Sequence, residues 1–111
     1  MGDPSAPQIS EAMNRLWQKF LPQMEERVAT VQSAASRLDC GAILTEEEKC
    51  NAAAEAHKLA GVLGTFGLNE GTELAREAES LLEGPLIADS EGAGRLIQLS
   101  TRLRTIIASR S

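Results

Sequence analysis

Residues 55–67 read EAHKLAGVLGTFG and contain the only histidine of the chain, His57. On an α-helical wheel, at about 100° per residue, the positions one turn from His57 hold only alanine and glycine: Ala53, Ala54, Ala60 and Gly61. The large apolar residues lie on the opposite side of the wheel: Leu59, Val62, Leu63 and Phe66. If these four residues face a core, His57 faces solvent on a strip of small side chains.

Two signals bound this helix. Thr45 and Glu48 have the spacing of a capping box, in which each side chain bonds the backbone N–H of the other residue. Gly67 follows the last apolar position and can end the helix by adopting a left-handed conformation. The pattern therefore predicts a helix from about Glu46 to Thr65 or Phe66.

Three positions inside this helix are unusual. Gly61 and Gly64 each destabilise a helix interior by about 1 kcal/mol relative to alanine, and close approach of a partner would explain both. Glu55 falls on the apolar side of the wheel, at about 160° from His57, where it lies at the edge of the core or bonds a polar group on another helix. Small residues beside His57 also fit a close helix–helix contact, which would bury the imidazole.

Apolar residues at steps of three and four predict three further helices. The first is capped by Ser10, ends near Gly41, and contains Pro22, which predicts a kink or a split there. The third begins with Asn69 as its cap and ends at Gly84-Pro85.

The last predicted helix begins at Asp89 or Ser90 and carries several arginines. Short links make neighbouring helices antiparallel. We therefore predict an all-α fold, an antiparallel up-down four-helix bundle, formed by residues 10–111 as a single domain. Residues 1–9 are expected to be a flexible leader.

Charge and composition exclude several classes of protein. The net charge of −5 argues against a nucleic-acid binder, and no apolar run approaches the roughly 18 residues of a membrane span. Cys40 and Cys50 fit no familiar zinc spacing with His57, so no metal site is predicted. With no targeting signal in the sequence, the two cysteines are expected to be reduced thiols of a cytoplasmic protein.

The sequence Ala56-His57-Lys58-Leu59-Ala60-Gly61, continued to Gly67, resembles the active helix of histidine-containing phosphotransfer (Hpt) domains. That family has glycine four and ten residues after its histidine, and here these are Gly61 and Gly67. Residues 74–79 also resemble the helix that packs beside the active helix. The resemblance covers about residues 10–109.

The resemblance implies a relay in which His57 exchanges a phosphoryl group with the aspartate of a receiver domain. The receiver would belong to a response regulator or a hybrid histidine kinase. No cofactor of the chain itself is implied, because Mg²⁺ would come with the receiver, and a monomer is expected. Positions expected to contact the phosphoryl group or the partner are Lys58, Gly61, Ala54, Ala60 and Gly64.

Two positions depart from the commoner family pattern. Ala60 stands where a lysine is usual, three residues after the histidine, and Lys58 is the nearest cation in sequence. Val62 replaces a small hydroxyl residue. Two alternatives stay open: a docking bundle that accepts no phosphate, and a purely structural bundle. The three glycines in residues 61–67 do not form a nucleotide loop, since no lysine–serine or lysine–threonine pair follows them, so no ATP-dependent kinase activity is expected.

Overall fold

A computed structural model of the protein describes residues 6–85 and 91–110. Within these ranges the chain forms four α-helices and no β-strand: α1 (Ala6–Asp39), α2 (Glu46–Thr65), α3 (Asn69–Glu83) and α4 (Glu91–Arg110). The predicted all-α fold is therefore confirmed. None of these helices is both long and apolar enough to cross a membrane.

The order of the contacts along each pair of neighbouring helices shows that the two helices run in opposite directions. Arg27 of α1 pairs with Glu55 of α2, whereas Arg37, farther along α1, pairs with Glu48, which lies earlier in α2. The same reversal relates α2 to α3, α3 to α4, and α4 to α1. This is the predicted up-down arrangement of antiparallel helices.

Of the two predicted alternatives at Pro22, a kink or a split, the structure excludes the split. α1 is one helix that contains Pro22 in its interior. Trp17, on one side of the proline, and Met24 and Val28, on the other, are buried in the same apolar cluster, while Pro22 itself is exposed. Burial of this continuous stripe offsets the roughly 3 kcal/mol that an interior proline costs a helix.

The start of α1 also differs from the prediction. The helix begins at Ala6, not after the predicted cap Ser10, so it takes in residues 6–9 of the predicted leader. The rest of that leader, residues 1–5, lies outside the described residues. Asp89 and Ser90, the predicted start of the last helix, lie outside them as well.

The ends of the middle helices follow their local signals. Thr45 and Glu48 form both hydrogen bonds of the capping box at the start of α2. Gly41 and Gly67 have φ angles of 87° and 72°, the left-handed conformation that favours glycine. The N-cap of α3 is Leu68, which makes no side-chain capping bond, so the prediction of Asn69 as the cap is wrong.

α2 and α3 pack closely because small residues lie between them. Gly71 of α3 is buried, and a Cβ atom there would lie only 2.9 Å from Cδ1 of Leu63 on α2. Ala53 and Ala60 of α2 are buried with 6% and 5% of their surface exposed. This packing sets the distance between the helices that carry the candidate site.

Two ion pairs join α3 to α4 on the outside of the bundle. Arg102 bonds the carboxylate of Glu70, with N–O distances of 2.9 Å, and Arg95 bonds that of Glu77, at 2.7 and 2.9 Å. These hydrogen bonds hold the pKa of Glu70 and the pKa of Glu77 below the ordinary value. Both carboxylates are therefore ionised at neutral pH and occupied by arginines of α4.

Leu63→Ala is expected to lower the free energy of unfolding by about 2–5 kcal/mol, because Leu63 is fully buried against α3. Ile43→Ala is the control, since Ile43 is 86% exposed, and it should change the free energy by no more than about 0.5 kcal/mol. Urea denaturation measures both values. Equal losses in the two variants would contradict the orientation of α2.

Candidate functional site

His57 lies on the outer face of α2, near the middle of the helix. Its side chain is 73% exposed. Leu59 and Leu63, on the opposite face, are completely buried. The predicted orientation of the helix is therefore confirmed, and the imidazole is open to a partner.

The strip of small residues around His57 has two different parts. Ala54 and Gly61 are exposed, as predicted, but Ala53 and Ala60 are buried in the core. The strip of small residues is therefore exposed in only one of its parts, and the other part forms the close helix–helix contact that the sequence also allowed. The reason is packing: these alanines let α3 approach, and the Ala60 carbonyl accepts a hydrogen bond from Thr72 Oγ1 at 3.3 Å. This helix–helix contact is made without burying His57.

The two glycines of α2 also differ in their surroundings. A Cβ atom at Gly61 would meet nothing within 4 Å, whereas one at Gly64 would lie 3.5 Å from Thr72 Oγ1. Packing within the domain thus gives no reason for a glycine at residue 61. The open space above it is available to a second molecule, which agrees with the predicted close approach.

Glu79 of α3, which was not among the predicted site residues, contacts the imidazole. Its carboxylate oxygens lie 3.0 and 3.2 Å from Nδ1 of His57. An ionised carboxylate only accepts hydrogen bonds, so Nδ1 carries the proton and donates it. In the neutral ring, Nε2 is then left unprotonated, with its lone pair available.

A signal for Glu79 is present in the sequence. His57 lies ten residues before Gly67, and Glu79 lies twelve residues after it. Because α2 and α3 are antiparallel about this turn, residues at similar separations from Gly67 come to the same level of the bundle. This argument needs the facing sides of both helices, which the wheel of α2 alone does not supply.

Lys58 lies on the side of α2 that faces α1. Its Nζ is 3.6 Å from Glu55 Oε1, and Arg27 Nε of α1 is 3.7 Å from the other oxygen of that carboxylate. Glu55 therefore bonds a polar group on another helix, one of the two predicted explanations for its place on the wheel. Lys58 itself is 56% exposed, and its ammonium group is paired with Glu55 and not with His57.

An open groove of about 480 Å³ runs from His57 toward the start of α2, between α2 and α3. It is lined by residues of both helices: Glu46, Lys49, Cys50, Ala53, Ala54, His57, Lys58, Glu79, Leu82 and Glu83. Cys50 and Cys40 are exposed and form no disulfide. Among the residues that the structure describes, no three His, Cys, Asp or Glu side chains are grouped so that they could hold a metal ion.

Residues 15–108 match the family model of the Hpt domain. The chain belongs to the Hpt domain family. Hpt domains carry a phosphoryl group on a histidine and interact with receiver domains in phosphorelay signalling. The family match confirms the resemblance found in the sequence and covers all or most of each of the four helices.

A similar curated protein is Protein RcaC of Microchaete diplosiphon, which is 32% identical to this Hpt domain over 80 residues. The match covers 72% of this chain but only 12% of RcaC, so the chain spans about an eighth of the length of that relative. No solved structure gives a significant match.

Gly61→Gln should slow phosphoryl transfer by roughly tenfold to a hundredfold, because its side chain would occupy the open space that a partner needs. The fold should be unchanged, since a Cβ at this position meets nothing. Transfer rates from a phosphorylated receiver and thermal unfolding of the Hpt domain measure the two effects.

Gly94→Gln is the matched control for this variant. Gly94 also lies in a helix and has nothing within 4 Å of an added Cβ, but it belongs to α4. The control should transfer at the wild-type rate. Normal transfer by Gly61→Gln would show that the partner does not approach at this position.

Proposed function

We propose that this Hpt domain carries a phosphoryl group on Nε2 of His57 and exchanges it with the aspartate of a receiver domain. The observation that carries the proposal is the contact between Glu79 and Nδ1 of a highly exposed imidazole. It leaves one ring nitrogen unprotonated and directs the other to a carboxylate. An ordinary surface histidine would have no such fixed proton.

The transfer step can be written with these groups. The Nε2 lone pair attacks the phosphorus of the aspartyl phosphate, and the N–P bond forms as the bond from phosphorus to the aspartate oxygen breaks. The aspartate leaves as a carboxylate with the bonding electron pair. Nδ1 keeps its proton, so the phosphorylated ring is a cation, and the Glu79 carboxylate offsets its charge through the hydrogen bond. The reverse step returns the phosphoryl group.

Such a transfer needs little from the Hpt domain beyond position and charge. The transition state of phosphoryl transfer is loose, so most of the rate comes from alignment of the two reactants and stabilisation of the phosphoryl oxygens. Mg²⁺ binds through several oxygen ligands, and Glu79 is the one carboxylate in contact with His57 in the described part of the chain. We therefore propose that the receiver supplies the metal.

The predicted partner contacts have different expected roles. Ala54, Gly61 and Gly64 are exposed around His57 and would meet the receiver directly. Ala60 is buried and acts by letting α3 approach. Lys58 would reach the phosphoryl group only by leaving Glu55, which Arg27 would continue to neutralise. The monomeric state and the cytoplasmic location stay predictions.

Phosphoryl transfer from a panel of radiolabelled, phosphorylated receiver domains tests the proposal. The wild-type domain should take up the label from at least one receiver, and His57→Gln, which removes the only histidine, should take up none. Binding of the same receiver to both proteins is measured in parallel. Binding without transfer to the wild-type domain would instead support the docking module, and equal labelling of both proteins would exclude His57 as the carrier.

A further inference from the structure

Arg76 is a cation on α3 that no carboxylate neutralises. Eight of the eleven lysine and arginine residues have a polar or ionic partner in the structure: Arg27, Arg37, Lys49, Lys58, Arg95, Arg102, Arg104 and Arg110. Among the described residues, Arg76, Arg15 and Lys19 have none. Arg15 and Lys19 lie in the first half of α1, whereas Arg76 lies on the helix that contacts His57.

Arg76 stands between the two contacts that join α3 to the active face of α2. Four residues before it, Thr72 donates to the Ala60 carbonyl, and three residues after it, Glu79 bonds His57. Residues at these spacings share one face of a helix. Arg76 is therefore on the edge of α3 that borders α2, and it starts about 4.5 Å along the helix axis from Glu79.

The residues of α2 that lie one turn after His57 have small side chains. Gly61 has no side chain, and a Cβ added there would meet nothing within 4 Å, whereas Ala60 is covered by α3 and only 5% exposed. The long side chain of Arg76 can extend along this edge of α3 toward Glu79, less than one helical turn away, and so toward the imidazole that Glu79 contacts. Arg76 itself is exposed and forms no hydrogen bond or ion pair in the described part of the chain that it would have to give up.

The charges at the site require a cation. A phosphoryl group brings about −1.5 to −2 charges at neutral pH, and the positive charge of the phosphorylated ring is already offset by the Glu79 carboxylate. The charge of Lys58 is already offset by Glu55. Both oxygens of Glu79 are directed at His57, so they do not occupy Arg76. A guanidinium can bond two phosphoryl oxygens at once with its planar fork.

We propose that Arg76 binds the phosphoryl oxygens on phosphorylated His57 and stabilises the phosphohistidine. The contact between Arg76 and the phosphoryl group needs no receiver. This inference therefore rests on the proposed function only where it gives the contact a part in transfer to a receiver. It assigns to a residue of α3 the positive charge that α2 does not supply at Ala60.

Phosphoramidate, a small phosphoryl donor, tests the contact without a receiver. Its P–N bond breaks as the Nε2–P bond of His57 forms, and ammonia leaves. The phosphoryl resonance is then followed by ³¹P NMR as a function of pH. A nearby guanidinium favours the doubly charged form of the phosphoryl group. The phosphoryl group of Arg76→Ala should therefore titrate at a higher pH than that of the wild-type protein. Arg76→Lys should lie between them, since it keeps the charge but loses the fork.

Arg15→Ala is the matched control, since Arg15 is also an exposed, unpaired arginine, but at the far end of α1. It should titrate like the wild-type protein. Identical titration of Arg76→Ala, Arg15→Ala and the wild-type protein would overturn the proposal. Arg76→Ala should remain folded, because Arg76 is exposed and alanine favours helix.

A second measurement separates this inference from the relay. At equilibrium with a receiver, the ratio of phosphorylated Hpt domain to phosphorylated receiver is measured. This ratio should be roughly tenfold lower for Arg76→Ala than for the wild-type domain. An unchanged equilibrium would overturn the proposal while leaving the relay in place. A shifted ³¹P titration with no transfer from any receiver would support the Arg76 contact and count against the relay alone.

Discussion

α3 lies close to α2 because the residues between the two helices are small. Ala53, Ala60 and Gly71 are buried at this contact, and a methyl group on Gly71 would lie 2.9 Å from Cδ1 of Leu63, so the leucine side chain would have to shift. At this separation the carboxylate of Glu79 reaches Nδ1 of His57 from the neighbouring helix. A side chain much larger than a methyl group at any of the three positions would push α3 away from α2, and the imidazole would then lose the partner that fixes its proton.

The chemistry of the site follows from that contact. An exposed imidazole without a partner would exchange its proton between two nitrogens and rotate freely. Bonded to Glu79, it presents Nε2 to solvent above a surface made low by Gly61. Most other cations of the domain are held by carboxylates or amides, so the charge available to a phosphoryl group is concentrated in Arg76 and, after release from Glu55, in Lys58.

Local signals in the sequence predicted much of the fold. The capping box at Thr45 and the glycines that end α1 and α2 act over a few residues, and each was found where expected. Contacts between helices were less predictable. Pro22 is tolerated because the stripe on both sides of it is buried, and Ala60 is buried because α3 covers it. Glu79 depends on the register of α2 against α3, which no single helical wheel contains.

The central claim is that Glu79 reserves Nε2 of His57 for the phosphoryl group. The most direct measurement is ³¹P–¹⁵N correlation NMR on the phosphorylated, ¹⁵N-labelled domain. The structure predicts that phosphorus is bonded to Nε2 and that Nδ1 still carries its proton. Phosphorus bonded to Nδ1, or an even mixture of the two isomers, would contradict the claim.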